Sequence, residues 1–265
     1  MIRRFLKSKQ IPFLVKKIIL RLRRIEAEKE HRYLYKLSKN NIDLFITRSN
    51  RIVKYLGGIE ERINNLVISE YLIDETTDIN IDDIIIDVGA NIGEFSKFFS
   101  SKGYKVFSFE PDTIEFQALE KNASNAFNFG LWNENTFLEF YSDNDTGDSG
   151  FIRAKSKYDK KYTMKVMRLS DLILSNHGNS GSSIGVIKVE AEGAELEVLE
   201  GSVELLPFTK YITVDCGFER GFKSESTLPE VLNFLTHHGF DILKVSKSRL
   251  VILLKNRKEV EKLTI

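Results

Sequence analysis

Asp87 lies near the end of a largely apolar run at 84–88, and Gly89, Asn91 and Gly93 follow it and precede a stretch with helical character at 94–101. A strand that feeds a glycine turn and then a helix brings backbone close to a ligand. Gly89 lets the chain turn sharply and Gly93 lets the helix approach the strand, each by lacking a Cβ. Glu110 ends the next apolar run, 105–109. It lies roughly 20 residues further on, where an acidic side chain accepts hydrogen bonds from ribose hydroxyls. The arrangement suits a cofactor containing adenosine. A dinucleotide would want further glycines where Asn91 and Glu94 stand, so that the backbone could reach a pyrophosphate. S-adenosylmethionine has no pyrophosphate and carries a sulfonium and an ammonium. An acidic Asp87 and a polar Asn91 therefore suit it better than they suit an anionic nicotinamide cofactor. Asp87 also has a plainer use, anchoring the hydrogen bonds of a turn.

A second group of acidic residues, Glu190, Glu192 and Glu195, falls in the segment KVEAEGAELEVLEG at 188–201. In methyl transfer from a sulfonium the cofactor supplies the reactivity, and the protein orients the nucleophile and takes its proton. A sugar hydroxyl does not ionise unaided at neutral pH, so a general base or a metal is needed. Glu190 and Glu192, at the end of an apolar run, are the first candidates. Asp215 and Glu219 come second, and Asp145 or Asp148 third. The three glutamates could hold a hard cation such as Mg²⁺. A helix start also favours negative charge, which suits Glu195, and no metal site is expected. His31, His177, His237 and His238 fall in the N-terminal helix, in a loop entering a strand and at a helix end, and are expected to be solvated or structural. Cys216 is the one cysteine. It excludes an intramolecular disulfide and a Cys-rich zinc site, fits a reducing compartment, and lies in an apolar run as an inert core thiol.

These residues need a framework. From 81 onward apolar runs alternate with helical stretches, the pattern of a parallel sheet covered by helices. Strands are expected at 84–88, 105–109, 127–130, 184–189 and 211–215, and helices at 94–101, 114–123 and 194–205. A further helix is capped by Thr227, carries Pro229 in its first turn and ends at Gly239. A hairpin at 240–245 and 250–254 closes the sheet. Between 136 and 167 the alternation breaks: 137–141 and 162–166 read as an extra strand pair, and 143–161 as a substrate lid. Ligands of such sheets bind beyond the carboxyl ends of the strands, where strand order reverses.

With 265 residues, 42% of them hydrophobic, the chain can bury one sizeable core and carry an appendage. Its formal net charge of +1 argues against a surface built for nucleic acid. The sum hides an asymmetry, since Arg3, Arg4, Lys7, Lys9, Lys16, Lys17, Arg21, Arg23 and Arg24 all precede the first acidic residue, Glu26. Ile11, Leu14, Val15, Ile18 and Leu22 recur at helical spacing, with Pro12 near the first turn, so a basic amphipathic helix is expected to continue toward Ser38. Its apolar stripe either packs on the main domain or a second subunit, or lies on an anionic membrane. The division expected is a helical extension over 1–50, a connecting segment over 51–80, a cofactor-binding domain over 81–256 and a tail over 257–265. No apolar stretch approaches the roughly 20 residues that span a bilayer, and the N-terminus lacks the apolar core of a secretory signal. The expected location is cytoplasmic, with peripheral contact at the inner membrane face through 1–24 as one of the two readings of the helix.

The sequence resembles the FkbM-type methyltransferases of the class I S-adenosylmethionine-dependent group. The resemblance rests on DVGANIG at 87–93, FEP at 109–111, SDLI at 170–173 and the 188–201 block, in that order and at that spacing. It covers roughly 84–255. It implies a Rossmann-like α/β fold with a seven-stranded, mostly parallel sheet whose last strand is antiparallel. It also implies S-adenosylmethionine as methyl donor and a hydroxyl acceptor. By the same resemblance Asp87, Gly89, Asn91 and Gly93 would line the methionine end. Glu110, followed by Pro111, would hold the ribose, and Asn128, Gly130 and Leu131 would lie beside adenine. Glu190 departs from the family's usual aspartate by one methylene. The activity expected is O-methylation of a glycan, a lipid-linked saccharide or a similar small metabolite. Nucleic-acid methylation is disfavoured by the charge and by the missing Asn- or Asp-Pro-Pro-aromatic segment after the fourth strand. A non-catalytic scaffold retaining the fold stays open.

Overall fold

The computed structural model describes residues 12–144, 149–153, 158–177, 181–258 and 260–263. Strands β4 (Ile84–Val88) and β11 (Ile184–Val189) are buried at every position and lie side by side in parallel, with Asp87 level with Lys188. β5 (Lys105–Phe109) and β6 (Ala126–Phe127) extend the sheet on one side. β12 (Thr209–Asp215), β14 (Val251–Asn256) and β13 (Phe240–Val245) extend it on the other. β14 runs antiparallel to both neighbours and the remaining pairs are parallel. This is the seven-stranded α/β sheet expected from the sequence, with the last strand in chain order reversed. From β4 the chain moves outward one way and from β11 the other, so strand order reverses between them.

Apart from the paired Asp87 and Lys188, the central strands are apolar because both faces of the sheet are covered. Ile84, Ile86, Val88, Ile187 and Val189 pack with α5 (Leu169–His177), α6 (Glu195–Glu200) and α7 (Leu228–His237). Ile85 and Val186 pack on the other face with Phe95 and Phe99 of α3 (Glu94–Ser100) and with Leu66, Val67 and Tyr71.

Several boundaries differ from the sequence reading. The expected third strand at 127–130 is β6 plus β7 (Gly130–Leu131), which pair in different sheets because the chain leaves the main sheet between them. The helix expected over 194–205 ends at Glu200 and a 3-10 turn, Val203–Phe208, follows. A side chain on Gly201 would stand 2.0 Å from the Trp132 carbonyl oxygen, so the chain there lies against another segment. Thr227 sits at the N-cap of α7, but its hydroxyl donates to Glu195 and the first-turn amide of Leu228 goes to Ser226 Oγ at 3.1 Å. A buried carboxylate that accepts the hydroxyl outcompetes the cap.

The insertion forms a second sheet. β8 (Thr136–Ser142) and β10 (Lys160–Met167) pair antiparallel, β7 joins β10, and β9 (Ser149–Gly150) joins β8. Parts of the expected lid, with Asp145 and Asp148, lie outside the described residues.

The N-terminal extension is not helical to residue 50. α1 (Phe13–Arg21) ends early, and β1 (Glu26–Lys29), β2 (Leu34–Lys39) and β3 (Ile42–Thr47) form an antiparallel meander. Ile42, Leu44 and Ile46 alternate at the period of a strand. Asn40 and Asn41, at φ 51° and 62°, make the tight two-residue turn before them. This sheet docks on α4 (Thr113–Asn122). The Asn122 side-chain amide bonds both backbone groups of Phe45, at 2.9 and 2.7 Å, as a neighbouring strand would.

Candidate active site

The carboxyl ends of β4 and β11 open into a cleft walled by residues of several segments, the place where sheets of this topology bind their ligands. Its floor is the turn after β4, where Gly89, Asn91 and Gly93 all have positive φ. The amides of that turn are already engaged. Ala90 N–H donates to Phe109 O, Asn91 N–H to Glu110 Oε2 at 2.8 Å, Ile92 N–H to Asn91 Oδ1 and Gly93 N–H to Ala90 O. These four amides are satisfied within the protein, so the turn itself offers no nest of donors at 90–93.

Glu110, 5% exposed, accepts from Asn91 N–H and, through Oε1, from Asp112 N–H. Burial first, then the nearby Asp112 carboxylate, pushes its pKa up to about 7. Each oxygen accepts one bond and keeps further acceptor capacity, the kind of group a ribose diol requires. Pro111, Gly130, Leu131, Phe129, Phe140 and Phe151 continue the wall, an apolar surface suited to a flat heteroaromatic ring. The fit to an adenosine cofactor therefore rests on Glu110 and this wall, and not on turn amides.

Asp87, Gly93, Asn128 and Asp215, all singled out in the sequence, do not line the cleft. Asp87 is fully buried behind the turn: its Oδ2 accepts from Ser96 Oγ at 2.6 Å, and its Oδ1 lies 3.2 Å from Lys188 Nζ. Lys188 in turn donates to the Gly89 and Val88 carbonyls at 2.6 and 3.1 Å. Burial alone would lower the Lys188 pKa, but Asp87 and then Glu190 outweigh it and raise it. The buried pair thus holds the turn from behind, the plainer role open to Asp87. Gly93 is a packing glycine, since a Cβ there would stand 2.7 Å from Leu119 Cδ1. Asn128 ties the carbonyls of Glu110 and Pro111 at 2.9 and 3.1 Å. Asp215 stands behind the wall, bonded to Arg249.

Glu190 and Glu192 do line the cleft. Glu190 accepts from the Tyr71 hydroxyl and from Arg249 Nη2, at 2.5 Å in the latter case, with Lys188 Nζ 3.4 Å away. Burial raises its pKa, but Lys188 and then Arg249 overcome that and hold it at about 2. Such a carboxylate is ionised and a weak base. Glu192 has φ 51° and precedes Gly193 at φ 95°, two successive left-handed residues of the kind that cluster at functional sites. Burial and the Glu190 charge raise Asp215, and burial with Asp215 pushes Glu219 up to about 7.

The remaining candidates are structural. Glu195 accepts from the Ala191 and Gly193 amides at 2.9 and 3.1 Å and from Thr227, so it caps its own helix start. Among the described residues no group of three possible ligands could hold a metal ion. His177 packs its ring on Phe107 at 4.6 Å and His238 bonds the Phe234 carbonyl. Cys216 is fully buried, and burial, then Glu195, pushes its thiol up to about 12.

The sequence reading missed the cleft wall supplied by 51–71 and 249. Arg51, on the 3-10 segment Ser49–Tyr55, donates to Asn91 Oδ1 at 2.6 Å and pairs with Glu115 at 3.0 Å. Lys54, Arg62 and Tyr71 also line the cleft, with Arg62 and the Tyr55 hydroxyl both on Glu94. No local signal marks them, because their spacing is that of an ordinary surface segment.

A family model described as the methyltransferase FkbM domain matches residues 87–242, more than half of the chain. A hexuronic acid methyltransferase, AglP, from Haloferax volcanii is 29% identical over 140 residues, covering 51% of this chain and 56% of that protein. The match therefore spans little more than half of that relative. A 2-O-methyltransferase, NoeI, from Sinorhizobium fredii is 24% identical over 214 residues, 72% of this chain and 86% of its own. Among solved structures, a SAM-dependent methyltransferase from Aquifex aeolicus superposes with a TM-score of 0.39 at 13% identity, over 74% of this chain and 94% of its own.

Proposed function

This chain belongs to the methyltransferase FkbM family, and we propose that it moves a methyl group from S-adenosylmethionine to a hydroxyl oxygen of a saccharide or a similar small acceptor. One relative is named for a hexuronic acid and another for 2-O-methylation, which supports a sugar hydroxyl. A lipid-linked sugar is included in that class, and the protein would then work at the cytoplasmic face of a membrane.

The cofactor, when bound, supplies an electrophilic methyl carbon on a sulfonium. Glu110 would hold the ribose hydroxyls, Gly130, Leu131 and the adjoining aromatic wall would hold adenine, and Gly89 and Asn91 would border the methionine end. Arg51 and Lys54 would face its carboxylate. The acceptor side falls to the carboxyl ends of β11 and β12. Glu192 is assigned the proton from the acceptor hydroxyl. Glu190, held at about 2 by Lys188 and Arg249, is too weak a base for that step. Its fixed negative charge instead faces the cleft, where it favours a cation. Asp215 positions Arg249 from behind.

The observation that supports this reading best is Glu110, a buried acceptor at the carboxyl end of β5 beside the turn that follows β4. The test is calorimetry with S-adenosylmethionine and S-adenosylhomocysteine, followed by transfer of labelled methyl into a fractionated glycan pool. A protein that binds neither ligand sinks the cofactor assignment. Binding without transfer to any glycan fraction sinks the acceptor class.

A further inference from the structure

Helix α1 (Phe13–Arg21) has one face committed to the protein. Leu20 is fully buried, Lys16 donates to Ser49 Oγ at 3.1 Å, and the Phe13 ring lies 4.8 Å from that of Tyr35. The apolar row that stands out in the sequence faces the other way. Leu14, Ile18 and Leu22 are 68, 55 and 80% exposed, and their spacing of four residues sets them on one ridge. Arg21, Arg23 and Arg24 are exposed beside it and Lys17 is half-buried. No acidic residue occurs from 12 to 25; the next, Glu26 and Glu28, lie on β1. The core is complete without the ridge, and an exposed apolar row of this kind marks an interaction surface.

We propose that Leu14, Ile18 and Leu22 dock on an anionic lipid bilayer, entering its interfacial region while Lys17, Arg21 and Arg24 meet the phosphates. Two features favour this occupant over a second copy of the chain. Three side chains bury much less than the roughly 800 Å² per partner of a stable dimer. A two-fold contact along the ridge would also set basic flank against basic flank, whereas an anionic surface neutralises them. Among the described residues no helix is long and apolar enough to cross a membrane. The N-terminal unit is tied to the cleft through Asn122 and Arg51, so docking through α1 holds the cleft at the lipid surface.

The test is co-sedimentation of the full chain with vesicles of phosphatidylcholine alone and of equimolar phosphatidylcholine and phosphatidylglycerol. Wild type is expected on the anionic vesicles, at least about tenfold more tightly than on the neutral ones. Both Leu14→Ser/Ile18→Ser/Leu22→Ser and Lys17→Glu/Arg21→Glu should lose about tenfold or more. Their affinity for S-adenosylmethionine and their circular dichroism should stay unchanged, showing that the fold survives. Failure of wild type to bind anionic vesicles, or undiminished binding by both variants, overturns the proposal. So does a ridge-dependent dimer in analytical ultracentrifugation without vesicle binding. None of these outcomes depends on whether methyl transfer is observed.

Discussion

The carbonyl oxygen of Glu190 occupies the space that a side chain on Gly89 would need: a Cβ there would stand 1.7 Å from it. The two ends of β4 and β11 are thus in close backbone contact, and the turn after β4 packs directly on the segment that carries Glu190. Gly89 also has φ 65°. Gly89→Ala should therefore force the strand ends apart and weaken S-adenosylmethionine binding by about tenfold or more, since strain of roughly 1–2 kcal/mol per left-handed residue adds to the clash. Calorimetry checks it; wild-type affinity in this variant would mean that the turn is not the binding element.

If Glu110 holds the ribose as proposed, cofactor affinity should depend on pH. Its folded pKa of about 7 exceeds the ordinary 4.5, so the folded protein holds this proton more tightly than the unfolded chain. The stability this lends is present below 4.5 and fades as pH rises through about 7. The ionised carboxylate is the better acceptor for ribose hydroxyls. Affinity for S-adenosylmethionine should then rise through about pH 7, and Glu110→Gln should flatten the profile and cost about tenfold at high pH, the loss of a charged hydrogen bond. A profile identical in the two proteins would remove Glu110 from the cofactor site.

Glu192→Gln separates chemistry from binding. It should lower kcat by about 10²- to 10⁴-fold, the range for general-base removal, while leaving the Kd for S-adenosylmethionine unchanged. Single-turnover kinetics with a reactive glycan fraction provide the readout. Equal loss in affinity and in rate would show that Glu192 serves the cofactor instead.

Arg249 bridges Glu190, Asp215 and Glu70. Arg249→Met leaves Glu190 and Asp215 without that cation, which should cost about 1–3 kcal/mol at neutral pH, since Arg249 is partly exposed and Glu190 keeps Lys188. Glu190, lowered to about 2 in the folded protein, stabilises above its ordinary 4.5 and loses that effect as pH falls toward 2. Asp215 is raised, which carries the opposite sign. The gap between variant and wild type should thus narrow as pH falls below about 4.5. Denaturant titrations at neutral and acid pH measure it; a gap independent of pH would place the loss in packing alone.

Cys216 should resist thiol reagents in the native protein and react fully only on unfolding, because it is fully buried and its thiol is pushed up to about 12. Reaction with a maleimide at the native rate of an exposed thiol would contradict its placement.

By itself the sequence determined the elements whose cause is local. The apolar runs at 84–88 and 184–189 are strands because both faces of the sheet are covered, and the glycines at 89 and 93 mark the positive φ that side chains resist. Asn40 and Asn41 ahead of the alternating Ile42, Leu44 and Ile46 carried an equally local hairpin signal, which the stronger helical pattern upstream obscured. Tertiary structure alone decided which polar groups share the cleft. Asp87, conspicuous in its motif, turned inward because Lys188, 101 positions away, offers a buried partner. Arg51, Tyr71 and Arg249 reached Asn91 and Glu190 from segments with no motif. Strand and turn arise from backbone sterics and period within a few residues. An ion pair arises between side chains that folding brings together, at separations over which sequence pattern carries no distance.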